Sequence, residues 1–350
     1  MKYMRSLIIT CLLGLTACNP PAIPVEEDPT APPPISIPTI EPTLIPEPTL
    51  VIVTPANQEI PIELEPPQHV VYPGEISGRE QTIHDQVTES YAAQKRAYGG
   101  DEYYDGRFER PFDREMGYLG HLDIVKSTMV RTDPEFVFVS IQVVNPVASA
   151  INTPSYYGLE LDLNKDGRSL FMIRGLGPLS EEWTTDGVDV WKSSAAERRV
   201  NVASEGMIPV TGSLGFDINL LRAGRGEDND LAWIRLRPGT AEVVEIAFKD
   251  SIVGGEEGEF IWRPFTDGAP YTEKQYDLQV YYTLEQAGSP YKGEKDYPLK
   301  EVYAVDNTCR VASGYEATGY EPGLCPLSLP DVPQHRDEPP PCFTPNGAPC

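Results

Sequence analysis

The 350-residue sequence contains few of the residues on which most enzymes depend. There are only four histidines, and 28 lysines and arginines stand against 53 aspartates and glutamates. The sequence has no Gly-x-Ser-x-Gly elbow, no His-Glu-x-x-His zinc motif, no Gly-x-Gly-x-x-Gly loop and no phosphate-binding loop. Its formal net charge of -25 repels phosphate backbones and anionic lipid headgroups. These features exclude nucleic acid as a partner and leave catalysis without a recognisable motif.

Long apolar runs are also missing, apart from a short one near the start of the chain. Lys2 and Arg5 precede the apolar run 7–15, which is well short of the roughly 20 residues that a membrane-spanning helix needs. Leu-Thr-Ala-Cys follows and ends at Cys18, a layout typical of a secretory signal peptide. The alternative is an ordinary signal peptide in which this cysteine has no role.

The Leu-Thr-Ala-Cys tetrapeptide resembles the lipobox of bacterial lipoproteins. The resemblance implies cleavage before Cys18 and attachment of lipid to its thiol. More than one acyl chain gives stable anchoring. We therefore expect an extracytoplasmic protein that is lipid-anchored to a bacterial cell membrane.

Composition divides the chain into five segments. They are a signal peptide (1–17), a lipidated cysteine with a disordered proline-rich linker (18–68), a flank (69–117), a β-sandwich domain (118–308) and a tail rich in cysteine and proline (309–350). In the flank, residues 80–98 lack strand alternation and are rich in Gln, Ala and Glu. This composition predicts a short N-terminal helix that ends at Gly99.

After residue 118, short apolar or alternating runs rich in Val, Ile, Tyr and Phe are separated by turn residues. The runs are 122–130, 136–144, 156–163, 170–173, 188–191, 231–236, 243–248, 260–264, 276–283 and 299–305. Their spacing predicts an all-β fold, an antiparallel β-sandwich.

Four cysteines lie in the tail, and cysteines outside the cytoplasm are usually oxidised. Their clustering favours one disulfide between Cys309 and Cys325 and another between Cys342 and Cys350. A zinc site is the alternative, but the sequence has no Cys-x-x-Cys pair to support it. We therefore expect a C-terminal tail held by disulfides.

One loop has the pattern of a calcium site, with Asp162, Asn164 and Asp166 at alternate positions before Gly167. An EF-hand is excluded because its twelfth position is Ile173 and the flanking residues are strand-like. The alternative is a β-hairpin turn with solvated acids. Both interpretations remain open, and they are compatible with each other.

The run Glu-Leu-Asp-Leu-Asn-x-Asp-Gly, residues 160–167, resembles a hairpin of secreted sandwich modules of the DOMON and family 9 carbohydrate-binding type. This resemblance covers one hairpin and implies a sandwich that binds a sugar or a cofactor. Trp183 and Trp191 are candidates for stacking on sugar rings. Trp233 and Trp262 lie in apolar strand patterns and are predicted to be core residues.

Taken together, these patterns predict a cell-surface lipoprotein whose sandwich binds carbohydrate and holds a structural calcium. Its expected partners are the membrane, through the lipid, and a polysaccharide or an envelope protein. The alternative is a structural or adhesion lipoprotein with no small-ligand site. A glycan-processing enzyme ranks third, because it needs two carboxylates about 5–9 Å apart, which spacing in the chain does not reveal.

Overall fold

The computed structural model describes residues 66–97, 101–150, 154–178, 180–194 and 215–326. All of them belong to one compact unit, which spans residues 64–350. The predicted signal peptide, the lipidation site Cys18 and the predicted Cys342–Cys350 bridge lie outside the described residues. In the described part of the chain, no helix combines the length and the apolar character needed to cross a bilayer.

The described residues contain fourteen strands, and all pairings between these strands are antiparallel. In chain order they are β1 (Glu80–His84), β2 (Glu109–Arg110), β3 (Ile124–Val130), β4 (Phe136–Val143), β5 (Tyr156–Asp162), β6 (Phe171–Leu176), β7 (Val188–Lys192), β8 (Ile218–Arg222), β9 (Arg225–Gly226), β10 (Ala232–Leu236), β11 (Val243–Lys249), β12 (Phe260–Asp267), β13 (Val305–Asn307) and β14 (Val311–Ser313).

The strands form two sheets. One has five strands in the order β1-β3-β4-β11-β10. The other has nine, in the order β2-β13-β12-β5-β6-β7-β8-β9, with β14 also paired to β12. The fold is therefore the predicted all-β sandwich.

Alternation along the strands builds the core between the two sheets. Val139 and Ile141 of β4 point inward and share one buried cluster with Leu159 and Leu161 of β5. Trp262 of β12 joins the same cluster and is fully buried, as predicted. The inner faces of the two sheets therefore pack directly on each other, as in other sandwiches.

The outer face of each sheet is also covered. On the five-stranded sheet, Phe138 and Trp233 pack under Val71 and Ile76 of the segment 66–76. This segment is fixed by Asp230, whose carboxylate accepts hydrogen bonds from the backbone N–H groups of residues 70 and 71 at 2.8 and 2.9 Å. The same carboxylate lies 2.8 Å from Nδ1 of His69.

The outer face of the nine-stranded sheet has its own apolar cluster, which includes Met172 of β6 and Phe265 of β12. Tyr103, Phe108 and Val302 pack in the same cluster. The covering segments therefore come from both the flank 69–117 and the stretch before β13.

The prediction of a helix over residues 80–98 was wrong for the first part of that stretch. Residues Glu80–His84 form β1, which pairs with β3, and the only helix among the described residues of this stretch is Glu89–Ala92. Ile83 explains the difference, because its side chain is 3% exposed and joins the sandwich core while its neighbours remain exposed. Packing has overridden a composition that favours helix.

Two other predicted strands also differ. The run 276–283 contains the helix Leu278–Tyr281 and leads into the helix Leu284–Ala287, which Thr283 caps through its side chain. The run 299–305 is irregular, and β13 begins only at its last residue. Short 3-10 helices occupy Tyr103–Asp105, Val147–Ser149, Asp250–Val253 and Glu273–Gln275.

The predicted bridge between Cys309 and Cys325 is confirmed, with the two Cα atoms 4.9 Å apart. It closes the loop that follows β13. A disulfide that closes a loop of this length stabilises the fold by about 3 kcal/mol, because it restricts the unfolded chain.

Candidate metal centre

Four acidic side chains meet beside the ends of β1 and β3 and the strands β2 and β13. Asp85 follows β1, Glu109 lies in β2, Asp123 precedes β3 and Asp306 lies in β13. Carboxylate oxygens of Asp85, Glu109 and Asp306 all lie within 4.8 Å of one another. We refer to Asp85, Glu109, Asp123 and Asp306 as the acid cluster.

Strand register brings two of these acids face to face. In the antiparallel pair of β2 and β13, Glu109 lies directly opposite Asp306. Like charges directly opposite each other destabilise a sheet. The backbone N–H of Ile124 donates to Asp306 at 2.7 Å, which holds this carboxylate in place without neutralising it.

Thr88 joins two members of the acid cluster. Its hydroxyl donates to Glu109 at 2.5 Å, and its backbone N–H donates to Asp123 at 3.0 Å. The hydroxyl of Tyr118 donates to the same oxygen of Asp123 at 2.5 Å. Glu109, Asp123 and Asp306 are therefore positioned by neutral donors rather than by cations.

The acid cluster buries several carboxylates with little positive charge nearby. Asp123 and Asp306 are completely buried, Glu109 is 2% exposed and the side chain of Asp85 is 1% exposed. Among the described residues, the ion pair that reaches the cluster is that of Arg107, whose guanidinium lies 3.9 Å from Asp85. Burying unpaired charge in this way is costly, because the ions lose their hydration.

Several oxygens at the site have no hydrogen-bond partner among the described residues. They are Oδ2 of Asp85, Oδ1 of Asp123 and Oδ1 of Asp306, and all three are buried. A buried acceptor without a partner costs about 1–3 kcal/mol. These atoms are therefore available to a ligand that supplies positive charge.

The electrostatics at the site are unusual. Burial raises the pKa of both Asp85 and Asp123 to about 7, although hydrogen bonds favour their ionised forms. Burial, followed by repulsion from the neighbouring carboxylates, raises the pKa of Glu109 and Asp306 well above the ordinary range. The cluster must therefore take up either protons or a cation.

The donor set indicates which cation would fit. All the candidate ligands are oxygens, and such sites suit hard divalent ions rather than zinc or copper. Calcium binds oxygens at about 2.3–2.6 Å, so ligands on opposite sides of one ion lie about 5 Å apart. Oxygens of Asp85, Glu109 and Asp306 lie within 4.8 Å of one another, which is close enough for one such ion to contact all three.

The loop predicted to bind calcium is a hairpin turn between β5 and β6. Asp162 is 1% exposed and accepts hydrogen bonds from the backbone N–H groups of Lys165 and Gly167 at 2.7 and 2.8 Å. Asp166 is exposed, and Asn164 lies half-buried between the two acids. The turn explains the position of Asp162, and calcium binding by Asp162, Asn164 and Asp166 stays a prediction.

The two tryptophans predicted to bind sugar are not brought together. Trp183 packs on the outer face of the five-stranded sheet, with the guanidinium of Arg235 4.3 Å above its ring, and lines a cavity of about 450 Å³. Trp191 of β7 packs on the outer face of the other sheet. The pair therefore cannot form one stacking platform, whereas Trp183 alone lines a cavity.

Sequence reasoning missed the acid cluster because its members are far apart in the chain. One local signal was present, since Asp123 interrupts the apolar run 122–130 that was predicted as a strand. A charged residue inside an apolar strand pattern indicates a partner or a function.

No protein-family model matches this chain, and neither a curated protein nor a solved structure matches it. The case for the site therefore depends on its geometry.

Proposed function

We propose that this chain is an exported cell-surface lipoprotein whose β-sandwich binds one divalent cation, calcium, in the acid cluster. The observation that carries the proposal is the set of buried, unpartnered oxygens on Asp85, Asp123 and Asp306. A doubly charged ion neutralises the repulsion among these acids and supplies partners for their free oxygens.

The positions of the ligands give the ion a structural role. Asp85, Glu109 and Asp123 belong to the first third of the described chain, whereas Asp306 lies in β13 near its end. An ion held by Asp85, Glu109 and Asp306 fastens the flank to the last strands of the nine-stranded sheet. Calcium then stabilises the folded state by mass action.

The cellular location in this proposal depends on Leu15-Thr16-Ala17-Cys18 and on the composition of the chain after it. Calcium in extracellular modules is bound with Kd values of about 10⁻⁴–10⁻³ M, which suits a structural ion outside the cell. A lipid-anchored domain in that environment can keep the site filled without a specific loading protein.

The test is thermal and urea unfolding of the full-length protein, first in chelator and then in calcium. At a calcium concentration of 100 times Kd, we expect the free energy of unfolding to rise by about 2.7 kcal/mol. Asp306→Asn should abolish this response. The same variant should be at least as stable as the wild type in chelator, because it removes a charge opposite Glu109.

Asp166→Asn is the matched control, since it removes an exposed acid from the hairpin turn and leaves the acid cluster intact. We expect its calcium response to equal that of the wild type. If Asp166→Asn abolishes the response and Asp306→Asn preserves it, calcium binds at the hairpin turn. If saturating calcium leaves wild-type unfolding unchanged, the proposal fails.

A further inference from the structure

A cleft of about 300 Å³ lies beside the 3-10 helix Tyr103–Asp105. Its lining includes Asp101, Glu102, Tyr104, Asp105, Ser289 and Glu294. We call it the tyrosine cleft. Its volume is at the lower end of the range for small-ligand sites.

Tyr104 presents its ring to solvent at the edge of the cleft. Tyr104 is 75% exposed, so its ring is accessible to a ligand. Behind it, Tyr103 is buried, and its hydroxyl donates to the backbone carbonyl of Tyr282 at 2.7 Å. The two rings lie edge to face with centroids 5.9 Å apart. The buried ring of Tyr103 therefore holds the exposed ring of Tyr104 in place.

The backbone of this turn is also constrained. Gly106 ends the 3-10 helix with a φ of 68°, and a Cβ at this position would lie 2.8 Å from the side-chain nitrogen of Gln279. Glycine is the residue that best adopts this conformation. The turn therefore holds Tyr104 and Asp105 in one orientation relative to the cleft.

A paired acid closes the inner wall of the cleft. Both carboxylate oxygens of Asp101 accept hydrogen bonds from the fully buried Arg110, each at 2.9 Å. The backbone N–H of Asp101 donates to the hydroxyl of Tyr291 at 3.0 Å. Hydrogen bonds therefore fix this wall of the cleft, and Arg110 neutralises the charge of Asp101.

The rim of the cleft, in contrast, has free acceptors. The carboxylates of Glu102 and Asp105 are exposed and have no hydrogen-bond partner among the described residues. The hydroxyl of Ser289 donates to Glu294 at 3.2 Å. No lysine or arginine is among the lining residues, so the cleft disfavours an acidic ligand.

We propose that the tyrosine cleft binds an uncharged saccharide, with a sugar face against the ring of Tyr104 and sugar hydroxyls donating to Glu102 and Asp105. An exposed flat ring offers apolar contact to the C–H face of a sugar. Carboxylates accept strong hydrogen bonds from hydroxyls. The proposal does not depend on the cation site, and it gives carbohydrate binding a different set of residues from Trp183 and Trp191.

The experiment is calorimetry of the full-length protein in saturating calcium with cellohexaose, xylohexaose and chitohexaose. Hexagalacturonate serves as an acidic probe and hexalysine as a cationic one. We expect at least one uncharged probe to bind, and hexagalacturonate not to bind. Tyr104→Ala should weaken binding about tenfold, whereas Tyr104→Phe, which keeps the ring, should stay within about twofold.

Tyr72→Ala is the matched control, because Tyr72 is 63% exposed and packs on Trp233 of the five-stranded sheet, not in the cleft lining. Its affinity should equal that of the wild type. The proposal is overturned if no uncharged probe binds, or if hexalysine is the only probe that does. It is also overturned if Trp183→Phe abolishes binding and Tyr104→Ala does not. The calcium response of Tyr104→Ala should remain intact, which separates the two proposals.

Discussion

Two groups of buried charges include residues of the nine-stranded sheet, and they are built in opposite ways. In one, the register of β5 and β12 places Arg263 directly opposite Glu160, and the guanidinium Nε donates to that carboxylate at 3.0 Å. Nearby, Arg310 lies 3.4 Å from Asp162. In the other, the register of β2 and β13 places Glu109 directly opposite Asp306.

The difference shows where the chain neutralises its own charge and where it does not. The first group, which we call the arginine network, contains two ion pairs, Glu160 with Arg263 and Asp162 with Arg310, and Asp277 interacts with both arginines. The acid cluster contains four acids, and the guanidinium of Arg107 is 3.9 Å away from one of them. The balanced group is a structural element, whereas the unbalanced group requires a proton or a cation.

The largest effect that distinguishes the two groups should be a pH dependence in chelator. The pKa of Asp85 and Asp123 is raised to about 7, so the folded state binds more protons than the unfolded state between about pH 4 and pH 7. Stability should therefore fall as the pH rises through this window, by on the order of several kcal/mol. Urea unfolding at a series of pH values measures the slope.

Saturating calcium should flatten that slope, because the ion stabilises the ionised carboxylates. Asp306→Asn should also reduce it in chelator, since one repelling charge is gone. A stability that rises with pH between about pH 4 and pH 7 would contradict the contrast between the two groups.

The next largest effect should come from breaking the balanced group. Arg263→Met leaves Glu160 buried without its partner, and we expect a loss of about 3–5 kcal/mol in the free energy of unfolding. The double variant Arg263→Met with Glu160→Met should recover most of this loss, because apolar residues can replace a buried ion pair. Equal losses in the single and double variants would show that packing, not charge balance, explains the effect.

The smallest effect should come from an exposed ion pair. Arg114 lies 3.2 Å from Glu301, and both side chains are about half exposed. We expect Arg114→Ala to change the free energy of unfolding by no more than about 0.5 kcal/mol, because water and salt screen the pair. A loss as large as that of Arg263→Met would mean that burial does not control the strength of these pairs.

The sequence was sufficient to predict the central strands of the fold. The run 136–144 was observed as Phe136–Val143, because a short apolar run rich in Val, Ile and Phe marks a strand that is buried on both faces. The edge strand β1 was missed, since Ile83 is the only strongly buried residue in it. The run 276–283 was misassigned because its tyrosines have a high strand propensity that tertiary packing overrode.

The acid cluster could not be predicted, for a different reason. Whether Glu109 faces Asp306 or a neutral residue depends on the register between strands far apart in the chain, and a shift of one residue would separate them. Residues 162–167, in contrast, form a local pattern that could be recognised in the sequence. Local spacing reveals turns, whereas the cluster depends on long-range strand pairing.

The hydrogen bonds of Asp230 have a mechanical consequence. This carboxylate holds His69 and the backbone of the next two residues against the five-stranded sheet, upstream of β1. Tension applied to the chain before residue 66 therefore reaches these bonds, and the one from Asn229 to the carbonyl of Gln68, before it reaches β1. Asp230 thus protects the pairing of β1 from a pull on the chain that precedes the domain.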